Sequence, residues 1–267
     1  METIRFTEKK RTSKWPAIFV ATFLIIGSSF VAYAIVNEDN PRMLGLAIES
    51  KSVETNGLGT VEETDEQKRD KARNINFEIK DISSMDKSSK KLEGNIKLPA
   101  LYVDGKEIAD FNTSIQDEYN TRFTNLKEQM ESAESRYSFN VSYTFYDNIV
   151  GTRKIVSIVV KQQIIDVDSN KITSERITTY NMDLGSKSLL AQADVLLTIL
   201  GKDHRDILRN DIKNHIISNN MKKESEYLYS VTGLENFYIQ EGILHMVFNP
   251  NEIVSDKYGI LDIKINN

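Results

Sequence analysis

Residues 16–36 read PAIFVATFLIIGSSFVAYAIV, a run of 21 positions without a charge. About 20 apolar residues in a helix cross a bilayer core, so this run constrains the chain before anything else does. KKRTSKW leads into it, and Asn37, Glu38 and Asp39 follow it. Lysine and arginine favour the cytoplasmic side. The asymmetry predicts a short cytoplasmic tail over 1–15, a transmembrane helix over 16–36 and the large remainder outside the cell. The run closes on Ala32-Tyr33-Ala34, small residues at the spacing a signal peptidase accepts. The same residues therefore suit a cleavable membrane anchor, with Ala32 and Ala34 as the cleavage site, or a plain secretion signal removed at once. The run is longer than an ordinary signal core, which favours the anchor and a single-pass location in the cell membrane.

Charge divides at the same place. Residues 1–15 carry five basic groups and two acidic ones, and the apolar run carries none. The rest holds 29 basic and 37 acidic groups, a net of −8. An acidic exterior does not suit nucleic acid, whose phosphates attract basic surfaces. It suits a cationic partner, which such a field steers inward. There is no cysteine, so disulfides, thiol nucleophiles and thiolate metal sites are excluded. His204, His215 and His245 lie far apart and match no metal-ligand spacing, so neither a metal nor a cofactor is expected.

Residues 37–74 read as a charged juxtamembrane linker with few apolar residues and some helical character near 62–71. From Ile75 the pattern changes to alternation. Strands are expected near 75–83 and at 91–103, the second interrupted at Pro99. Ile108, Phe111, Ile115, Tyr119, Phe123, Leu126 and Met130 then recur at steps of three and four, a helix over about 106–134 that starts at Asp104 or Gly105. Three strands follow at 138–146, 153–165 and 172–182, with Asp147-Asn148 and Asp168-Ser169-Asn170 as turns. Helices are predicted over 186–200 and 203–219. Short strands over 234–239 and 243–248 flank Glu241-Gly242, and a last strand runs over 258–265. The order gives an α+β class, antiparallel sheets packed with helices. It divides into an extracellular sub-domain over 75–184 and a C-terminal one over 185–267.

NFYIQEGILHMVFNPNEI, with Gly259 before the last strand, resembles the RsiV-type extracellular domain of Gram-positive membrane proteins. The positions that carry the likeness are Phe237, Tyr238, Gly242, Phe248, Glu252, Ile253 and Gly259. KLPALYVDGKEIADF is similar to that family's entry into its long helix, and KKRTSKWP to its lead into the membrane. The resemblance implies an anti-sigma factor whose outer domain binds lysozyme. Binding exposes a signal-peptidase site, an intramembrane protease follows, and an extracytoplasmic-function sigma factor is freed. It implies a ligand-binding loop after Phe248, offering Asn251, Glu252, Asp256, Lys257 and Tyr258. That loop lacks the Tyr before Glu and the Ala-Pro of the family pattern, and only about 15 residues precede the span. Both departures favour an alternative, a surface binding module or lysozyme inhibitor without a sigma partner. No nucleophile, phosphate loop or metal motif supports an enzyme. Glu118, Glu128, Glu131 and Glu134 on the long helix are the one carboxylate set that hydrolysis could use. Phe237, Tyr238 and Phe248 are expected in the core, and His245 at the surface or against a neighbouring strand.

Overall fold

The computed structural model describes residues 63–190, 192–221 and 236–265. The tail, the apolar run with Ala32 and Ala34, and most of the linker lie outside the described residues. Among the described residues no helix is long and apolar enough to cross a membrane. The described part belongs to one unit, 61–267, of mixed α+β architecture.

The first element is helix α1, Asp65–Arg73. Thr64 accepts from the Gln67 backbone and the Gln67 side chain answers the Thr64 backbone, a reciprocal cap that stops the linker's fraying. The helix buries only Ala72, and Arg69 Nε donates to the Gly151 carbonyl at 3.0 Å.

Strands β1 (Phe77–Ser88) and β2 (Leu92–Val103) form an antiparallel hairpin. β2 runs straight through Pro99, against the expected interruption. The Leu101 N–H and C=O point away from β1, to Asn112 Oδ1 at 2.8 Å and to the Ile108 N–H at 3.0 Å. Pro99 lies two residues earlier, so its nitrogen faces the same side. There the ladder to the next strand has already ended at Ile96, and the missing N–H costs no strand bond.

Asp104 and Gly105 do not start the long helix. Both have positive φ, 50° and 73°, and form a two-residue turn into β3 (Lys106–Glu107). Asp-Gly suits such a turn because both central residues must be left-handed. Helix α2 then spans Ala109–Met130. All seven apolar residues that predicted it are buried. At 1.5 Å per residue its 22 residues carry the chain about 33 Å back. β4 (Tyr137–Val150) is thereby parallel to β2, from Leu92↔Tyr137 to Ile96↔Val141. The sheet is thus not wholly antiparallel, because a helical crossover returns the chain to the end where β2 began.

β4, β5 (Arg153–Asp166) and β6 (Lys171–Asp183) make a long antiparallel meander. Its first turn sits at Gly151, φ 59°, and not at Asp147-Asn148, which remain in β4. Asn148 is buried inside the fold instead of exposed in a turn. β7 (Ser188–Leu189) closes one end of β6, and α3 (Gln192–Leu200) and α4 (His204–Ser218) follow. One core lies between α2 and its face of the sheet, with Ile115, Tyr119, Phe139, Ile158 and Met182 fully enclosed.

β8 (Asn236–Gln240), β9 (Ile243–Phe248) and β10 (Leu261–Lys264) form a second sheet in the order β10-β9-β8. This sheet stands edge-on against the face of the meander that α2 does not cover. β8 crosses β6, β5 and β4, and side chains of those strands satisfy its outer backbone edge. Thr179 Oγ1 accepts from Phe237 N at 3.0 Å, and Asn181 Nδ2 donates to Phe237 O at 2.8 Å. Ser157 Oγ accepts from Ile239 N at 3.0 Å, and Asn148 Nδ2 donates to Ile239 O at 2.8 Å. Asn148 Oδ1 also accepts from Gly242 N, at 2.9 Å. On one side of β8, Phe237 and Ile239 join a second core with Val195, Leu208 and Ile212 of α3 and α4. On the other side Tyr238 packs with Val159 and Val247.

Removing the Asn148 amide leaves the buried Ile239 C=O without its partner and frees the exposed Gly242 N–H to water. Asn148→Ala should lower the unfolding free energy by about 1–3 kcal/mol, the cost of one stranded buried group. Urea denaturation measures this, and a loss within error of zero would show that water replaces the amide.

Candidate functional site

The segment from Asn249 to Gly259 is held at three levels. Below it, Val254 is buried and Ile253 and Tyr258 pack on the second core. At its root, buried Asn249 grips the free edge of β6. Its Oδ1 accepts from Ile177 N at 2.6 Å and its Nδ2 donates to Ile177 O at 3.1 Å. One amide thereby does what a neighbouring strand would do for that residue. Within the loop, Glu252 turns back and accepts from Asn249 N at 2.7 Å and from Asn249 Nδ2 at 3.1 Å. Asn251, at φ 68°, accepts on Oδ1 from Asp256 N at 3.0 Å.

The structure therefore places the five predicted ligand-binding residues in one self-tied loop with unequal freedom. Asn251, Glu252, Asp256 and Lys257 are exposed, and Tyr258 is half-buried. Glu252 and Asn251 already hold the loop's own backbone. Asp256 accepts from Ser255 Oγ at 3.2 Å, and Lys257 Nζ lies 4.8 Å over the Tyr258 ring. The outward chemistry is two carboxylates beside a lysine on a half-buried phenol. Gly259, at φ 68°, passes the chain beside Glu175, whose Oε1 lies 3.4 Å from where a Cβ would stand.

Where the second sheet meets the meander, a stack forms that the sequence pattern did not foretell. Tyr146 of β4, Tyr238 of β8 and His245 of β9 lie ring on ring, at 5.3 Å and 4.6 Å between centroids. Asp262 of β10 accepts from Tyr238 Oη at 2.5 Å and meets His245 Nδ1 at 2.9 Å. His245 is thus against a neighbouring strand, half-buried, and Phe237, Tyr238 and Phe248 are buried. The β8–β9 hairpin sets Tyr238 opposite His245, the pairing of β9 with β10 adds Asp262, and Tyr146 joins them only where the second sheet meets β4.

Glu118 stands apart from Glu128, Glu131 and Glu134. Glu118 is half-buried, accepts from Tyr180 Oη at 2.6 Å and pairs with Arg122, which also donates to Gln162 at 3.0 Å. Glu128, Glu131 and Glu134 are exposed. Ten residues of helix put Glu118 about 15 Å from Glu128, beyond the carboxylate spacing of glycoside hydrolysis. Among the described residues no cluster of three or more His, Asp or Glu is placed to hold a metal.

Several phenols are held neutral. Burial pushes Tyr180 far above the ordinary 10.0, and the neighbouring Tyr119 and Glu118 add to it. Burial and then the hydrogen bond to Asp262 raise Tyr238, while burial and then Asp81, 2.6 Å away, raise Tyr143. Burial raises Tyr119, against the pull of Arg122.

No family model matches the chain, and no curated protein matches it. Its structure is similar to that of a DUF3298 family protein from Pseudomonas aeruginosa PAO1, at a TM-score of 0.48 and 12% identity. That alignment covers 72% of this chain and 90% of the other. It is similar also to a DUF3298 family member from Bacteroides fragilis NCTC 9343, at a TM-score of 0.44 and 16% identity, with the same coverage.

The raised phenols carry a consequence for alkaline stability. Below pH 10.0 they are neutral folded and unfolded alike, so their contribution is intact. Above it the unfolded chain gives up protons that the folded chain keeps, and stability falls as pH rises. Tyrosinate absorbance should lag for these four of the 11 tyrosines until the fold is lost. All 11 ionising together near 10.0 in a folded chain would contradict this.

Proposed function

We propose that the chain is a membrane-anchored extracellular sensor of the anti-sigma type. A lysozyme-like cationic protein binds the outer domain at the 249–258 loop. Binding exposes the bond after Ala34 to signal peptidase, and an intramembrane protease then frees a sigma factor held by the tail. The observation that carries this reading is the linear order of basic tail, uncharged 21-residue run and Ala32-Tyr33-Ala34. A bilayer-spanning length with a scissile motif at its outer rim serves release better than it serves secretion alone. The net charge of −8 beyond the run supports a cationic ligand, which long-range attraction brings in faster.

The second reading is a surface binding module or lysozyme inhibitor without a sigma partner. It is favoured by the loop itself, where Asn251 and Glu252 spend their polar atoms on the loop's own backbone and Tyr258 packs inward. Such a loop offers fewer rigid anchors to a partner's cleft than one with a free aromatic.

The two readings separate on cleavage. In the first, an immunoblot of cells shows the full-length chain converting to a form that begins at Ile35 only after lysozyme is added. In the second, the Ile35 form is present throughout. Ala34→Leu should abolish either product, because the peptidase requires a small residue before the cut. A chain that keeps its initiating methionine with and without lysozyme removes both.

A further inference from the structure

β1 is the terminal strand of the large sheet, and among the described residues no strand lies beside its outer edge. Its backbone parity follows from β2. Ile79 stands opposite Leu101, whose N–H and C=O point away toward Asn112 and Ile108. That pair is therefore not hydrogen-bonded to itself, and the Ile79 N–H and C=O face the free edge. By the two-residue period, so do those of Phe77 and Asp81. Among the described residues none of these backbone groups meets a partner on that side. The register with β2 is regular up to Ser84 and shifts between Ser84 and Lys87, which ends the straight part of the edge.

Phe77 and Ile79 pack their side chains inward on the first core. Glu78 and Lys80 lie on the outer face, their side chains 63% and 52% exposed, with Lys80 Nζ 3.3 Å from Glu78 Oε2. A charged edge ordinarily repels a second strand. Here the two charges are opposite and two residues apart, on either side of Ile79. An antiparallel copy centred on Ile79 places Ile79 against Ile79, Phe77 against Asp81, and each Glu78 against the other copy's Lys80. The Glu78–Lys80 positions then form the non-hydrogen-bonded pairs, in which side chains approach most closely. Centring on Lys80 or on Glu78 opposes like charges.

We propose that the free edge of β1 is a pairing surface for a second copy of this chain, in the two-fold antiparallel register centred on Ile79. Three outward-facing residues from each copy complete one another's ladder, and two symmetry-related ion pairs select the register. The surface is distinct from the 249–258 loop and stands whether or not that loop binds a ligand.

The absence of cysteine makes the register directly readable. In the full chain in detergent, Ile79→Cys should form an intermolecular disulfide on mild oxidation, since a hydrogen-bonded pair sets its Cα atoms about 5.5 Å apart. Asp81→Cys should not, because four residues of offset separate it from its own copy by about 14 Å. Independently of cysteine, sedimentation should show the wild-type chain associating in the micromolar range. Lys80→Glu opposes carboxylates at both sites and should raise the dissociation constant about tenfold, as expected for two exposed pairs turned from attraction to repulsion. The double exchange Glu78→Lys with Lys80→Glu should return it to within about twofold of wild type. Circular dichroism checks that each variant stays folded. A monomeric wild type, equal cross-linking of the two cysteine variants, or a double exchange no better than the single reversal overturns the proposal.

Discussion

The second sheet is fastened to the first by its backbone. An edge strand normally presents its N–H and C=O groups to water or to another strand, and β8 does neither. Its edge lies over three strands of the meander, where a strand cannot be answered by another backbone. Thr179, Asn181, Ser157 and Asn148 answer it with side chains. Each is a short polar residue on the face of a sheet, and Asn148, Ser157 and Asn181 are buried. Without them β8 would bury unpaired polar groups, at a cost comparable to the whole margin by which a domain is stable. The second core, the Tyr146–Tyr238–His245 stack and the placement of the 249–258 loop all require β8 to sit where these four residues hold it.

The same device recurs at Asn249. Its side-chain amide closes the edge of β6 at Ile177, and its backbone and amide in turn receive the Glu252 carboxylate. The loop is thereby indexed to the large sheet through one residue and to the second core through Val254 and Tyr258. A ligand that pulled on Glu252 would work against the bond that fixes the loop to β6. Recognition at this loop and the stability of the sheet edge are therefore parts of one network, unlike a loose surface loop whose side chains are all free. β1 differs again, since among the described residues no side chain answers its outer edge, which carries Glu78 and Lys80 on either side of Ile79.

Much of the element order was legible. The stripe of Ile108, Phe111, Ile115, Tyr119, Phe123, Leu126 and Met130 has one helical face and could not have been a strand, and each residue is buried as that face requires. The alternation over 138–146, 153–165 and 172–182 marked the meander for the same reason. Asp104-Gly105, Pro99 and Asp147-Asn148 misled because turn chemistry is local while their roles are not. Gly105 supports a hairpin that ends before the helix begins. Pro99 is tolerated because the neighbouring ladder has stopped. Asn148 serves a strand some ninety positions away in the chain. In the candidate loop, Asn251, Glu252, Asp256, Lys257 and Tyr258 were named as a group from the sequence, but Asn249, which roots the loop on β6, was not.

What the sequence determined alone is whatever depends on neighbours in the chain. That comprises the uncharged run and its basic flank, the helical and strand periods and the α+β class. A bilayer, a helix face and a pleat each test residues at fixed short spacings, so a linear pattern suffices. What only the tertiary structure decided is which polar side chains are spent internally and which remain free to meet a partner. Asn148, Asn181 and Asn249 look in sequence like any surface amide, and Glu252 like any loop carboxylate. Their state depends on a backbone group brought within about 3 Å by chain remote in sequence, and a hydrogen bond of that length has no signature in spacing.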